Sequence, residues 1–324
     1  MINENTPCSG LAASPDSDGV ISVPVLLGPT AVGKSGVAFA LAREMGWEIL
    51  SCDSRQLYRG MDIGTAKPSP AERAQVPHRL IDILDPSEEY SAGRFADEAA
   101  TIIRTCAKNG RRVLVCGGTG LYFKALQQGT NDRSPSDPAI REELTRFARE
   151  KGNEALHREL AAVDPVTAAR LHPNDIQRII RALALFRQTG TRMSDHTPEG
   201  TPPGDMRFVV IKLTMERSLL YDRINRRVEV MMRDGLLEEF RTLVAAGYDR
   251  HSPGMQSVGY REFFAVEDGT IAETEAVELI QRNTRRYAKR QITWFSRQVE
   301  GVEVDATDPA EALNMVRRHF STLQ

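Results

Sequence analysis

The chain has 324 residues, of which 41% are hydrophobic and 27% are charged, a balance typical of a globular protein of roughly two domains. Its net charge of −2 restricts any nucleic-acid surface to a local patch, and the absence of a run of ~18 apolar residues excludes an obvious membrane span. Cys8, Cys52, Cys106 and Cys116 form no CxxC pair and no ligand-like grouping with the six histidines, which argues against zinc and against a disulfide framework.

The amino-terminal segment, residues 1–20, contains no Lys or Arg and no apolar core of signal-peptide length. Its composition predicts a disordered acidic leader. We therefore expect a protein that is not exported and stays in the reducing cytoplasm.

The first structural element is a predicted strand at residues 23–27, directly followed by the sequence GPTAVGKS. This loop matches GxxxxGK[ST], in which backbone N–H groups, a lysine and a helix N-terminus bind phosphate, and a hydroxyl here from Ser35 serves Mg²⁺. Kinases, GTPases, ATPases and some group transferases all use such a loop, so the motif leaves the ligand open. The predicted diphosphate-binding residues of the loop are Gly28, Pro29, Thr30, Ala31, Val32, Gly33, Lys34 and Ser35.

The remaining elements predict an α/β fold. Helix-patterned segments separate the apolar runs, which is typical of buried parallel strands, here at residues 47–50, 112–116 and 208–213. Residues 134–204 carry helical patterns without strands. We therefore predict a P-loop NTPase-like parallel sheet flanked by helices, formed by residues 21–133 and 205–324, with an inserted all-helical domain at 134–204.

Two residues stand where ligands of open α/β sheets collect, at the carboxyl ends of strands. Asp53 follows the second predicted strand; it is a Mg²⁺ partner, a general base or merely a cap or turn residue. Thr119 lies in a second glycine-rich corner, CGGTG, after the third strand. It would reach the same ligand or only cap the next helix.

Basic residues occur in three further places. In the insertion, Asn174 or Asp175 would cap a helix that carries basic residues, which alone is a weak signal. After the last predicted strand, Arg217, Arg223, Arg226 and Arg227 would clamp a polyphosphate or be neutralised by Glu216, Asp222 and Glu229.

The third place, residues 281–297, has no acidic residue. On a helix its six cations fall within an arc of roughly 140°. We expect Tyr287, Ala288, Ile292, Trp294 and Phe295 to pack on the opposite side. Charges of one sign in a near-neutral protein indicate RNA, DNA or anionic lipid as the partner, and of these we favour nucleic acid. The cations are Arg282, Arg285, Arg286, Lys289, Arg290 and Arg297.

Seven blocks occur in the order and spacing of bacterial tRNA dimethylallyltransferases: GPTAVGKS, DSRQLYRGMDIGTAKP, PHRLID, GGTGLYFKAL, HPNDIQRIIRAL, SVGYRE and TRRYAKRQITWF. The chain resembles this family, whose members place an isopentenyl-type group on the adenosine 3′ of the anticodon, in tRNAs that read codons beginning with U. The resemblance implies that the loop holds dimethylallyl diphosphate rather than ATP, with Mg²⁺ on Ser35. It also implies that Asp53 is the base, that Lys34, Thr119 and Arg223 complete the catalytic set, and that Arg223 binds the diphosphate.

The resemblance further implies which residues contact the tRNA. They lie in the two strand-end corners, the insertion, the SVGYRE region and the basic helix. They are Asp53, Ser54, Arg55, Gln56, Thr119, Arg141, Gln177, Arg178, Ile179, Ile180, Arg181, Gln256, Ser257, Val258, Gly259, Tyr260, Arg261, Thr284, Arg285, Arg286, Tyr287, Ala288, Lys289, Arg290 and Gln291.

Three other functions stay open at this point. A P-loop kinase of a nucleoside or small metabolite would leave the basic helix unexplained. An adenylate isopentenyltransferase, which prenylates free adenine nucleotides, would have little need of that helix. A non-catalytic RNA-binding module would need neither Lys34 nor Asp53 at strand ends. We expect a monomer, partnered by tRNA and dimethylallyl diphosphate and without membrane association.

Overall fold

The computed structural model describes residues 19–130, 137–195, 202–321 and 323. Most of the predicted leader, at residues 1–18, lies outside this range. The chain divides into two compact units, one comprising residues up to Gln128 and from Pro202 onward, the other Gly129–Thr201. The sequence analysis placed the limits of the insertion at 134 and 204.

The first unit is built on a parallel sheet in the order β3-β2-β4-β1-β5-β6. Leu27 pairs with Gly117 on one side and Lys212 on the other, and Cys52 also pairs with Gly117. The carboxyl ends of the central strands therefore meet at one edge. The strands are β1 Ile21–Leu27, β2 Glu48–Cys52, β3 His78–Arg79, β4 Val113–Gly117, β5 Met206–Thr214 and β6 Val302–Asp305.

The four predicted strands are confirmed within one or two residues, and the α/β fold class with them. The prediction missed β3 and β6, which are the two edges of the sheet. β3 has only two residues, His78 and Arg79, and neither is apolar. Three of the four residues of β6 are exposed, so no buried apolar run marks that strand.

The helices of the first unit cover both faces of the sheet. Leu27 of β1 packs in the core that includes Phe95 and Phe295, whereas its neighbour Leu26 packs in the core that includes Leu41 and Phe320. Because successive strand residues point to opposite faces, a strand buried on both sides is apolar throughout. The helices are α1 Lys34–Met45, α2 Pro70–Gln75, α3 Ala92–Lys108 and α4 Gly120–Gln128, then α9 Arg217–Arg233, α10 Leu236–Ala245, α11 Phe264–Glu267, α12 Glu273–Gln298 and α13 Pro309–Ser321.

The second unit is helical within its described residues. Its helices are α5 Pro138–Lys151, α6 Asn153–Val163, α7 Pro165–Ala168 and α8 Ile176–Thr189. Leu156, Leu160 and Leu183 belong to its separate core. Buried Asp164 accepts hydrogen bonds from the Thr167 and Ser194 N–H groups, and these bonds lower its pKa to about 2 against the opposing effect of burial. No helix in the described part of the chain is long and apolar enough to cross a bilayer.

Candidate active site and basic helix

A cavity of about 650 Å³ opens at the edge of the sheet where β1, β2 and β4 end. Lys34, Asp53 and Gly118 line it, together with side chains from α9 and α12. All of its lining residues belong to the first unit. The structure thus brings the predicted phosphate loop and the predicted base to one space.

The phosphate loop is held in a conformation that needs glycine at two positions. Gly28 has φ +155°, and a Cβ there would lie 2.7 Å from the Leu213 carbonyl oxygen. Gly33 has φ +106° and stands immediately before α1. Ala31 also has a positive φ, of 65°, which is uncommon for a residue with a side chain. The loop therefore carries local strain at the point where its N–H groups would meet phosphate.

Lys34 begins α1 and folds back onto the loop. Its Nζ donates to the Pro29 carbonyl oxygen at 2.7 Å. Burial lowers the pKa of Lys34 to about 8, although the nearby Asp53 carboxylate raises it in part. Desolvation disfavours the charged form of Lys34, and an anion bound beside the ammonium would favour that form again.

Asp53 and Thr119 join the ends of β2 and β4. One Asp53 oxygen accepts the Arg55 N–H at 2.8 Å. The Thr119 hydroxyl accepts the Ser54 N–H at 2.9 Å, and the Thr119 N–H donates to the Cys52 carbonyl at 3.1 Å. Asp53 thus serves a local turn while it lines the cavity, and Thr119 fixes the loop that carries it.

Tyr287 of α12 also lines this cavity. Burial and then the negative charge of Asp53 raise its pKa to about 12, so the phenol stays protonated at neutral pH. The Arg290 guanidinium lies 5.7 Å from the centre of the Tyr287 ring. A neutral phenol and a cation therefore stand on the α12 side of the predicted base.

The four arginines of α9 that the sequence analysis singled out divide into two groups. Arg223, Arg226 and Arg227 line the cavity, and Arg223 Nη2 lies 3.5 Å from where a Cβ on Gly33 would stand. Arg217 instead donates from Nε to the Tyr221 hydroxyl at 2.9 Å. Burial lowers the pKa of Arg227, with Asp53 opposing, which places this guanidinium in the same electrostatic environment as Lys34. From the sequence, Arg226 and Arg227 are candidates for a polyphosphate clamp together with Arg223, whereas the family resemblance assigns the diphosphate to Arg223 alone.

A second loop, residues 62–67, closes another side of the cavity. The Glu239 carboxylate accepts the N–H groups of Asp62, Ile63 and Gly64 at 2.8–3.1 Å and the Tyr260 hydroxyl at 2.6 Å. A Cβ on Gly64 would lie 2.5 Å from Tyr260. Sequence reasoning missed this support, although Tyr260 lies in the SVGYRE block.

Lys67 anchors the same loop. Its Nζ donates to the Tyr58 carbonyl and to the carboxylates of Asp62 and Asp82, and only 2% of its side chain is exposed. Gln56 adds a contact from the β2 end, because its Nε2 donates to the Ala66 carbonyl at 3.2 Å. The Gln56 amide, implied by the family to contact tRNA, is thus already engaged with this loop.

Helix α12 carries the basic segment predicted from the sequence. Arg282, Arg286, Lys289, Arg290 and Arg297 are exposed, as expected. The predicted faces were wrong in two places. Arg285 is only partly exposed and donates to Asn225 Oδ1 on α9, and Ile292 is 38% exposed rather than packed inside.

Several residues implied to contact tRNA have buried side chains. Ser257 and Tyr260 are at most 3% exposed, Ala288 is fully buried and Gln291 is 6% exposed. In this conformation RNA contacts from these two segments would come from their exposed neighbours, such as Gln256, Arg261 and Arg286.

The same holds within the second unit. Ile179 and Ile180 of α8 pack in its core, at 0% and 3% exposure. Gln177 and Arg178 are exposed, and Arg178 lies 3.5 Å from Asp175. Asp175 stands at the helix start, as one of the two predicted caps, but its side chain makes no capping hydrogen bond. Arg141 lies on α5.

The donor set suits a magnesium ion better than zinc. No group of three or more His, Cys, Asp or Glu side chains in the described residues could hold a metal. Ser35, which is exposed, and Asp53 both line the cavity. Mg²⁺ prefers oxygen ligands and usually takes only one or two from protein, with substrate phosphates and water as the rest, so these residues fit that ion.

Comparison with known proteins identifies relatives over almost the whole chain. Residues 56–298 match the family model for IPP transferase, and residues 21–87 match that for isopentenyl transferase. The tRNA dimethylallyltransferase of Geobacter metallireducens is 49% identical over 283 residues, which cover 87% of this chain and 91% of the relative. That of Desulfosudis oleivorans is 45% identical, with 91% and 95% covered.

Solved structures agree. The full-length tRNA isopentenylpyrophosphate transferase of Bacillus halodurans has a TM-score of 0.68 and 40% identity, covering 93% of this chain and 96% of that one. A eukaryotic dimethylallyltransferase described as acting on tRNA has a TM-score of 0.73 and 27% identity, covering 90% of this chain and 75% of that one. The P-loop-like fold is shared with these proteins, and the chain belongs to the IPP transferase family.

Proposed function

We propose that this protein is a tRNA dimethylallyltransferase, which transfers the dimethylallyl group of dimethylallyl diphosphate to the exocyclic amine of the adenosine 3′ of the anticodon. The observation that carries the assignment of the site is that Lys34 of the phosphate loop, Asp53 and residues of the basic helix α12 line one cavity. The exposed cations of α12 would have no polyanionic ligand in a kinase or an adenylate isopentenyltransferase, and the family match favours neither function.

The donor's diphosphate would lie against the phosphate loop. As the allylic C–O bond breaks, negative charge grows on the leaving oxygen, and fixed cations around that position lower the barrier. Lys34, Arg223 and Arg227 line the cavity and would supply that charge, together with loop N–H groups. Ser35 would hold a Mg²⁺ ion, which when bound would neutralise further charge on the diphosphate.

The acceptor is an aromatic amine, a poor nucleophile because its lone pair is delocalised into the ring. A new N–C bond forms as the allylic C–O bond breaks, diphosphate leaves with the bonding electrons, and the amine loses one proton. Asp53 would accept that proton, since it lines the same cavity as Lys34, Arg223 and Arg227. Base assistance of this kind contributes roughly 10²–10⁴ in rate.

The target adenine must leave its stack, which costs a few kcal/mol. Contacts of the anticodon arm with exposed Arg286, Lys289 and Arg290 would offset that cost, as would contacts with Gln177 and Arg178 of the second unit. Single-stranded loops are the RNA elements whose bases are most easily splayed out. We further propose that the accepted tRNAs read codons beginning with U, and that the enzyme is monomeric and cytoplasmic.

The test is to incubate the purified protein with labelled dimethylallyl diphosphate and one acceptor at a time. Label should enter an anticodon stem-loop with adenosine 3′ of the anticodon, and it should not enter AMP or the same stem-loop carrying guanosine there. Label in AMP alone would identify an adenylate isopentenyltransferase. Phosphate transfer from ATP to a small acceptor would identify a kinase.

A further inference from the structure

The side chain of Gln291 connects the phosphate loop to the neighbouring strand end. Its Oε1 accepts the Thr30 N–H at 2.8 Å, and its Nε2 donates to the Gly118 carbonyl at 2.8 Å. The residue is 6% exposed, although it lies on the helix whose outer face is basic. Its amide is thus engaged with main chain on both sides.

The peptide between Pro29 and Thr30 is held at both of its polar atoms. Its carbonyl accepts from Lys34 Nζ at 2.7 Å, and its N–H donates to Gln291. A peptide fixed at both ends cannot rotate without breaking one of these bonds. Gln291 therefore helps to set the direction of the loop amides and the resting place of the Lys34 ammonium.

Gln291 also fills the space beside Gly118. Gly118 has no side chain, and a Cβ there would lie 2.5 Å from Gln291 Nε2. The next residue, Thr119, accepts the N–H of Ser54, beside Asp53. One buried amide thus links the loop of the donor to the corner that holds the proposed base.

We propose that Gln291 is a positioning residue of the donor site: it fixes the phosphate loop for diphosphate binding and does not itself contact RNA. The inference rests on the proposal that this loop holds the diphosphate. Replacing the amide by an apolar group of similar length would leave the Thr30 N–H without its partner, so that only Lys34 holds the Pro29–Thr30 peptide, and would weaken diphosphate binding. The exposed cations of α12 would still meet tRNA.

The experiment compares Gln291→Met with Arg286→Gln, an exposed cation on the same helix that does not line the cavity. Affinity for inorganic pyrophosphate is measured by calorimetry without RNA, affinity for the anticodon stem-loop is measured separately, and KM is determined for each substrate. For Gln291→Met we expect pyrophosphate affinity and donor KM to worsen roughly tenfold, the equivalent of one lost hydrogen bond, with unchanged RNA affinity. Arg286→Gln should weaken RNA affinity slightly and leave pyrophosphate affinity and donor KM unchanged.

Gly118→Ala provides an independent variant, because its methyl group would displace the Gln291 amide without altering Gln291. Gly118→Ala should show the same loss of pyrophosphate affinity and the same rise in donor KM, with unchanged RNA affinity. If Gln291→Met does not fold, this variant still tests the inference. Lost RNA affinity with normal pyrophosphate affinity would overturn the inference, as would an equal loss of both in a protein of lowered Tm.

Lys34→Met separates the inference from the assignment of the loop. If this variant still binds pyrophosphate as the parent protein does, the loop is not the diphosphate site and both proposals fail. If binding depends on Lys34 but not on Gln291 or Gly118, only the positioning role is overturned.

Discussion

The proposed donor side and the proposed RNA side of the site are built in different ways. The donor side uses main-chain groups and buried polar side chains, each with defined partners, as in the Lys34 and Gln291 contacts with one peptide. The RNA side of α12 uses exposed cations such as Arg286 and Lys289. Single substitutions should therefore act sharply on the first side, and effects on the second should be small and spread over several residues.

The largest effect is expected at Asp53. Asp53→Asn keeps an oxygen to accept the Arg55 N–H, so the turn should persist, but it cannot act as a base. For both Asp53→Asn and Asp53→Ala we expect the rate constant of the transfer step, measured under single-turnover conditions, to fall by about 10²–10⁴. Pyrophosphate and RNA affinities should change little. Near-normal turnover in Asp53→Asn would reassign this carboxylate to a turn role.

A smaller effect is expected from pH on the donor side. The pKa of Lys34 in the free protein is about 8, so its ammonium is present below that pH and is lost as pH rises through it. Pyrophosphate affinity attributable to Lys34 should fall up to about tenfold per pH unit above that value. Calorimetry from pH 7 to pH 10 on the parent and on Lys34→Met, which corrects for titration of the ligand, measures the difference. Parallel profiles would contradict the prediction.

The smallest effects are expected on the RNA side. Neutralising Arg286 or Lys289 with glutamine should each flatten the dependence of log affinity on log salt concentration by about 0.7, if each contacts one phosphate. Donor KM should not change. Arg285→Gln is the matched control for these two variants, because the Arg285 guanidinium donates a hydrogen bond to Asn225. It should lower the Tm and leave the salt slope nearly unchanged. A change in slope of about 0.7, as for a lost phosphate contact, would place RNA on this part of α9 and α12.

The sequence predicted the central strands because both of their faces are buried, which leaves nearly unbroken apolar runs. Edge strands lack that signal: β3 is too short and β6 is mostly exposed. Helical projection likewise placed most cations of α12 correctly but failed for Arg285 and Ile292, since a projection contains no neighbouring helix.

The phosphate loop, its lysine and the proximity of Asp53 and Thr119 were determined by the sequence itself. They depend on a local motif and on the rule that parallel strands end at a common edge. What only the tertiary structure decided is how these parts are held. Gln291 is 261 residues from Thr30 along the chain, and no local pattern distinguishes a buried amide that braces a loop from one that faces solvent. Such contacts arise only when packing brings distant segments together and burial makes each unpaired polar group costly.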